Sequence, residues 1–124
     1  MDLSRKRAVV DAFLAASRRG DFEALLTLLD PQVELRADRA AVRAGASSDV
    51  RGAAAVAETF AGRARAAQPA LVDGEPGLVW ASGGRARVVF RFRIERGKVL
   101  RIELVADSER LGRLELALLE DAST

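Results

Sequence analysis

Apolar residues in the first half of the chain recur at intervals of three and four, which is the spacing of one face of an α-helix. The first run ends at Gly20, a typical helix terminator that follows two arginines. Asp21 can cap a second, short helix, which ends before Pro31 because proline disfavours helical geometry in the residue preceding it. A third helix is predicted over residues 53–67. The first half of the chain is therefore expected to be mainly helical.

Alternation of apolar and polar residues predicts strands elsewhere. A first strand is expected at residues 33–36, and the aperiodic residues 38–51 are expected to form a loop. Residues 69–105 follow a period of two, which indicates four strands. Beyond them, Asp107 or Ser108 can cap a closing helix. The apolar stripe of that helix would carry Leu111, Leu114 and Leu118.

The clearest alternation is RVVFRFRIERGKVLRIEL at residues 87–104. A three-residue loop at 95–97 puts Gly97 where a left-handed backbone is needed and pairs Phe92 with Leu100. A two-residue loop would mix apolar and charged side chains on each face, which favours the longer loop. The apolar face then consists of Val88, Phe90, Phe92, Ile94, Leu100, Ile102 and Leu104. The charged face consists of Val89, Arg91, Arg93, Val99, Arg101 and Glu103.

These elements predict an α+β fold with helices on one face of a curved antiparallel sheet. The 124 residues contain no linker or internal repeat and fit one domain over 1–124. The net charge is only +2 and charges of both signs are interspersed, so we expect no direct contact with nucleic acid. The sequence has no cysteine and no membrane-length apolar run, and Asp11 interrupts any signal-peptide pattern. We therefore expect a cytoplasmic protein that does not enter membranes.

The order of elements and three phrases resemble the SnoaL-like branch of the NTF2-like superfamily. Within it, the chain most resembles the C-terminal SnoaL-like extension of extracytoplasmic-function sigma factors. The phrases are VVDAFLAASRRGDFEALLTLLDPQVELRAD at 9–38, VRGAAAVAETFAGRARAAQPALVDGEPGLVW at 50–80 and ADSERLGRLELALL at 106–119. The resemblance implies an NTF2-like cone, in which the curved antiparallel sheet wraps around three helices of the N-terminal half and a short C-terminal helix closes the chain. It also implies a cavity at the wide end of the cone.

Two departures from these sigma factors bear on function. Their polymerase- and DNA-binding regions do not occur in the 124 residues, so a stand-alone protein and a part of a longer sigma factor both stay open. Some of them carry a glycine-rich motif after the first strand, where this chain has Asp38-Arg39-Ala40-Ala41-Val42. The aspartate is kept and the glycines are not. Near the C-terminus, Asp107-Ser108-Glu109-Arg110-Leu111 keeps the capping residue and the leucine of a second motif.

Catalysis would have to come from a carboxylate. The chain has no histidine, tyrosine or cysteine, which removes the usual acid–base groups near neutral pH. If the protein is an enzyme, Asp38 is the candidate base; the alternative is that Asp38 caps the loop after the first strand. Carboxylates are not clustered in the sequence, so neither a metal site nor a cofactor is expected.

Aromatic and charged side chains supply the remaining candidates. The possible pocket residues are Phe13, Phe60, Trp80, Phe90 and Phe92. The surface or interface candidates are Arg91, Arg93, Arg101, Glu103, Leu111 and Leu114. Arg91 lies opposite Arg101 in the predicted register, so an acidic group such as Glu34 or Glu103 should lie nearby.

The leading hypothesis is a non-catalytic regulatory or ligand-binding domain, which acts by protein contact or takes a small apolar ligand into its cavity. The resemblance implies as partners a second copy bound through the sheet, and sigma-factor regions or RNA polymerase. The alternative is a small-molecule cyclase, isomerase or dehydratase that uses a cavity carboxylate such as Asp38.

Overall fold

Five helices and seven strands succeed one another in the computed structural model, which describes residues 2–120. The helices are α1 (Leu3–Arg19), α2 (Phe22–Leu28), α3 (Arg39–Arg43), α4 (Ala53–Phe60) and α5 (Ser108–Gly112). The strands are β1 (Leu29–Ala37), β2 (Val50–Arg51), β3 (Gln68–Val72), β4 (Glu75–Ser82), β5 (Arg85–Glu95), β6 (Lys98–Val105) and β7 (Leu116–Leu118).

The α1–α2 corner forms where the local sequence signals predicted it. Gly20 adopts the left-handed conformation, with φ at 67°, and its N–H donates to the carbonyls of Ala16 and Ser17. Asp21 then caps α2 by accepting from the Ala24 N–H at 3.0 Å. Because both signals are short-range, the sequence was sufficient to place them.

The sheet is curved, open and mixed, with strand order β2-β1-β6-β5-β4-β3-β7. Helices α1 to α4 pack on its inner face, and the predicted α+β NTF2-like fold is confirmed. The sheet is not wholly antiparallel, however, because β1 pairs in parallel with β6. The chain leaves β1, passes through α3 and α4 to β3, and meanders back until β6 lies beside β1 in the same direction. Local alternation contains no information about such a long-range pair.

The hairpin register differs from the predicted one. The turn has two residues, Arg96 and Gly97, with φ at 53° and 78°, and Glu95 pairs with Lys98. Arg93 then pairs with Arg101 and Ile94 with Val99, so Leu100 is an extra, bulged residue. Because of the bulge, apolar side chains of the two strands share one face and charged side chains share the other. A regular two-residue hairpin would mix them. Phe92 therefore lies opposite Ile102, Val99 is buried with Ile94, and Leu100 leaves the predicted apolar face.

Three further predictions from the sequence were wrong. The expected loop at 38–51 contains α3 and β2, and the third helix stops at Phe60 instead of residue 67. The closing helix is limited to Ser108–Gly112, and residues 116–118 form an edge strand against β3. The leucine spacing suits a helix, but a helix here would leave the edge of β3 with unpaired backbone N–H and C=O groups, which β7 pairs.

Two apolar clusters lie on opposite faces of the sheet. The larger one joins the inner face to α1, α2 and α4 and includes Phe13, Leu35 and Ile102, which are fully buried. A smaller cluster on the other face is covered by the C-terminal segment, with Leu111 and Leu114 packed against it. These two leucines, predicted as interface candidates, therefore belong to an internal contact. No helix described in residues 2–120 is both long and apolar enough to cross a bilayer.

Candidate functional site

An open pocket of about 370 Å³ lies on the inner side of the sheet. Trp80 on β4, Phe90 on β5 and Leu104 on β6 form its sheet wall. Its opposite wall is made of small side chains from α3, the turn after α3 and the loop after α4: Ala41, Ala44, Ala46, Ala64, Ala66 and Ala67. Because alanine side chains are short, these backbones leave a space that larger residues would fill.

A second pocket of about 170 Å³ adjoins the first and shares Ala46, Ala64, Phe90 and Leu104 with it. Arg65 lines the larger pocket and Arg63 lines the smaller one. These are the only charged side chains that line either pocket within residues 2–120. The walls of the two pockets are largely apolar. Arg63 and Arg65 both come from the loop that follows α4.

The five aromatic candidates divide between the pocket and the core. Trp80 is 40% exposed and, with Phe90, lines the larger pocket, while Phe60 lines the smaller one. Phe13 contacts Phe60 and Phe92 edge-on, with ring centroids 5.2 and 5.1 Å apart. Phe13 and Phe92 therefore support the pocket from the core instead of lining it.

Asp38 is held as a structural cap. Its carboxylate accepts hydrogen bonds from the N–H groups of Ala41 at 2.9 Å and of Ala106 and Asp107 at 3.0 Å each. The Arg110 guanidinium lies 3.5 Å away, and the Asp38 side chain is only 10% exposed. Burial favours the protonated acid, but the three N–H donors and Arg110 outweigh it and hold the pKa of Asp38 below its ordinary value. A base for proton abstraction needs the opposite shift and a free oxygen in the cavity.

No protein-family model matches the sequence, and no curated protein matches it significantly. Solved structures do match. The extracytoplasmic function sigma factor SigJ of Mycobacterium tuberculosis matches through its C-terminal domain with a TM-score of 0.68 and 27% identity. The match covers 86% of this chain and 43% of SigJ, so the chain spans less than half of that protein.

Two further structures match across nearly their whole length. An NTF2-like protein from Burkholderia xenovorans LB400 has a TM-score of 0.58 and 21% identity, covering 91% of this chain and 97% of that one. TerC, co-crystallised with polyporic acid, has a TM-score of 0.57 and 18% identity, covering 87% and 95%. This chain has the NTF2-like fold. The resemblance to SnoaL-like and NTF2-like proteins, including a sigma-factor domain, is thereby confirmed.

The arginines on the outer face of this NTF2-like domain are paired with acids. Arg101 contacts Glu34 at 2.8 Å, as the sequence led us to expect. Arg91 lies 3.6 Å from Asp73 and opposite Glu103, whereas its predicted neighbour was Arg101.

The other two charged candidates on this face also have partners. Arg93 contacts Glu95 at 3.1 Å. Glu103 lies opposite Arg91, near the arginines as expected, and makes its ion pair with Arg110 at 3.3 Å. These pairs neutralise the face without a ligand and, being largely exposed, contribute little stability.

Sequence reasoning missed the residues that form the second wall of the pocket in this NTF2-like domain. The sequence AGRARAA at 61–67 did contain a signal for the end of the helix, since Gly62 disfavours helical structure. In the structure, Gly62 and Ala64 adopt left-handed backbone conformations. Alanine itself has no chemical signature, so nothing marked these side chains as pocket-lining. No group of three potential metal-ligating side chains occurs in the part of the chain that the structure describes.

Proposed function

We propose that this NTF2-like domain is a non-catalytic binding domain that takes a small, largely apolar molecule into the pocket beside Trp80. The pocket carries this proposal. A volume of about 370 Å³ lies within the range of small-molecule sites, about 300–1,000 Å³. TerC, a protein of the same fold, was co-crystallised with polyporic acid, which supports a small-molecule ligand for this fold.

A non-catalytic role is favoured over a cyclase, isomerase or dehydratase by the position of the carboxylates. No aspartate or glutamate among residues 2–120 lines either pocket. Asp38 is committed to three backbone N–H groups and to Arg110, and its lowered pKa keeps it a weak base. A base that abstracts a proton must reach the substrate directly or through one water.

Energy transfer from Trp80 tests the proposal. The chain has one tryptophan and no tyrosine, so any sensitised emission originates from Trp80 at the mouth of this pocket. The uncharged fluorophore phenylnaphthylamine should bind with saturable, Trp80-sensitised emission and should raise the melting temperature. Binding without sensitised emission, or no binding, would contradict the proposal.

Filling the pocket should weaken this binding. Ala66 is exposed and lines the larger pocket, so Ala66→Leu puts a branched side chain into the ligand's space without disturbing the core. We expect about a tenfold loss of phenylnaphthylamine affinity, the scale of a steric conflict of about 1.4 kcal/mol. Ala54→Leu is the matched control, because Ala54 is equally exposed on α4 and lies away from both pockets. Equal affinity in the two variants would place the ligand elsewhere.

The match to SigJ favours a second function, which is regulation through contact with sigma-factor regions or RNA polymerase. We propose that the ligand state of the pocket modulates such a contact. Crosslinking of the domain to the cognate sigma regions, with and without a pocket ligand, tests this directly. A ligand-dependent crosslink is expected; no crosslink with sigma regions or with core polymerase would contradict it.

A homodimer through the sheet is also proposed, with the ion-paired outer face as its contact surface. The exposed pair Arg93–Glu95 lies on this face. Sedimentation of the wild-type chain should show a dimer, and reversal of charge at Arg93 should weaken it. A monomer at all concentrations would contradict the dimer and leave the ligand-binding proposal intact.

A further inference from the structure

Arg63 and Arg65 are unpaired, unlike the outer-face arginines. Within residues 2–120, neither guanidinium forms a hydrogen bond or an ion pair. Arg91, Arg93 and Arg101 each have an acid within 3.6 Å. Neither cation is neutralised by an ion pair in the described part of the chain. Both are therefore available to an anion from outside the chain.

The loop that carries the two arginines is held firmly by α1. Gly62 N–H donates to the Ser17 carbonyl at 2.8 Å. The Arg18 guanidinium donates to the carbonyls of Arg65 at 3.2 Å and Ala67 at 2.7 Å. These bonds tie down both ends of the loop, so binding at the arginines need not order the backbone first.

The backbone between the two arginines directs them to separate pockets. Ala64 has φ at 57°, an unfavourable conformation for a residue with a Cβ, and its side chain lines both pockets. On either side of it, Arg63 lines the smaller pocket and Arg65 the larger. Ala64 therefore lies where the two pockets join, with one arginine on each side of it.

We propose that the two pockets together bind an organic anion. Its apolar body lies against Trp80 and Phe90, and its carboxylate, sulfonate or similar acidic group lies beside Ala64, where the two pockets join, between Arg63 and Arg65. This inference rests on the proposed ligand-binding function and names the chemical class of the ligand. Guanidinium groups suit this role because they present several donors in a plane that matches an oxyanion. The apolar wall buries the apolar body of the ligand, and the arginines select for ligands that carry a negative charge.

Two fluorophores that share an apolar body test the proposal. Anilinonaphthalene sulfonate carries an acidic group, and phenylnaphthylamine lacks it. We expect the wild-type domain to bind the sulfonate about tenfold more tightly, which is the scale of charge-assisted hydrogen bonds. The double variant Arg63→Gln/Arg65→Gln should lose this preference and bind phenylnaphthylamine as the wild type does. Weaker binding in the pocket-filling variant Ala66→Leu identifies the pocket as the site in each titration.

The matched control is Arg96→Gln/Arg113→Gln. It removes the same two charges at exposed positions that line neither pocket, and it should keep the full preference. If the wild type binds neither fluorophore, the proposed ligand-binding function itself fails. If it binds both equally, or if the Arg63/Arg65 variant keeps the preference, ligand binding stands and the anion selectivity is overturned. A loss of preference in the control would overturn it as well, since net charge alone would then explain the effect.

Discussion

Phe13→Ala should destabilise the domain by about 3–5 kcal/mol, the range for truncation of a fully buried phenylalanine. Phe13 has no exposed surface and makes edge-on contacts with Phe60 at 5.2 Å and Phe92 at 5.1 Å. It therefore joins α1 to α4 and to the inner face of β5. Truncation leaves a cavity at the point where three elements meet, and the two remaining rings cannot both move to fill it. Urea denaturation followed by circular dichroism measures the loss.

Phe22→Ala is the comparison variant for this experiment. Phe22 opens α2 and is only half-buried at the margin of the same cluster. Its truncation should cost clearly less than that of Phe13, because part of the ring already lies in water. A cost for Phe13→Ala no greater than that for Phe22→Ala would show that the phenylalanine side of the sheet does not face the helices as described.

Asp38→Ala should cost about 2–4 kcal/mol, an effect much larger than that of an ordinary helix cap. The substitution leaves the N–H groups of Ala41, Ala106 and Asp107 without their acceptor, and it leaves Arg110 without one of its two carboxylate partners. Asp38 also joins the end of β1 to the segment after β6. Asp21→Ala is the matched control, because Asp21 accepts from a single capped N–H, that of Ala24. The control should cost about 1 kcal/mol.

The Asp38 contribution should depend on pH in a defined direction. Because the pKa of Asp38 is lowered in the folded state, its stabilisation is complete above the unfolded-state pKa of about 3.9. It is lost as pH falls through the lower, folded-state pKa. The difference in unfolding free energy between wild type and Asp38→Asn should therefore be constant near neutral pH and shrink below about pH 4. A difference that grows on acidification would contradict the assigned contacts.

Features of the fold that depend on near neighbours could be predicted from the sequence. Gly20 and Asp21 identified the α1–α2 corner because caps act over three or four residues. The parallel β1–β6 pair, the bulge at Leu100 and the C-terminal edge strand could not be predicted in the same way. Each depends on a partner strand that is distant in sequence, or on a backbone irregularity that the apolar pattern does not record.

The candidate site was predictable only in part. Trp80 and Phe90 stood out because large aromatic side chains are few in this chain, and both line the pocket. Phe13 and Phe92 have the same chemistry but face the core, and only the packing of the helices distinguishes the two cases. Arg63 and Arg65 were hidden among many other arginines. What sets them apart is their position beside the two pockets, which the sequence does not show.

Alanine-methyl NMR tests ligand binding in the pocket most directly, because six of the lining side chains are alanines. In a titration with phenylnaphthylamine, we predict that the largest shifts occur at the methyl groups of Ala44, Ala64 and Ala66. The methyls of Ala54 and Ala55, which are exposed on α4 and line neither pocket, should shift much less. Shifts that are equally large at Ala54 and Ala55, or that are absent from the lining alanines, would contradict a ligand site between Trp80 and the loop after α4.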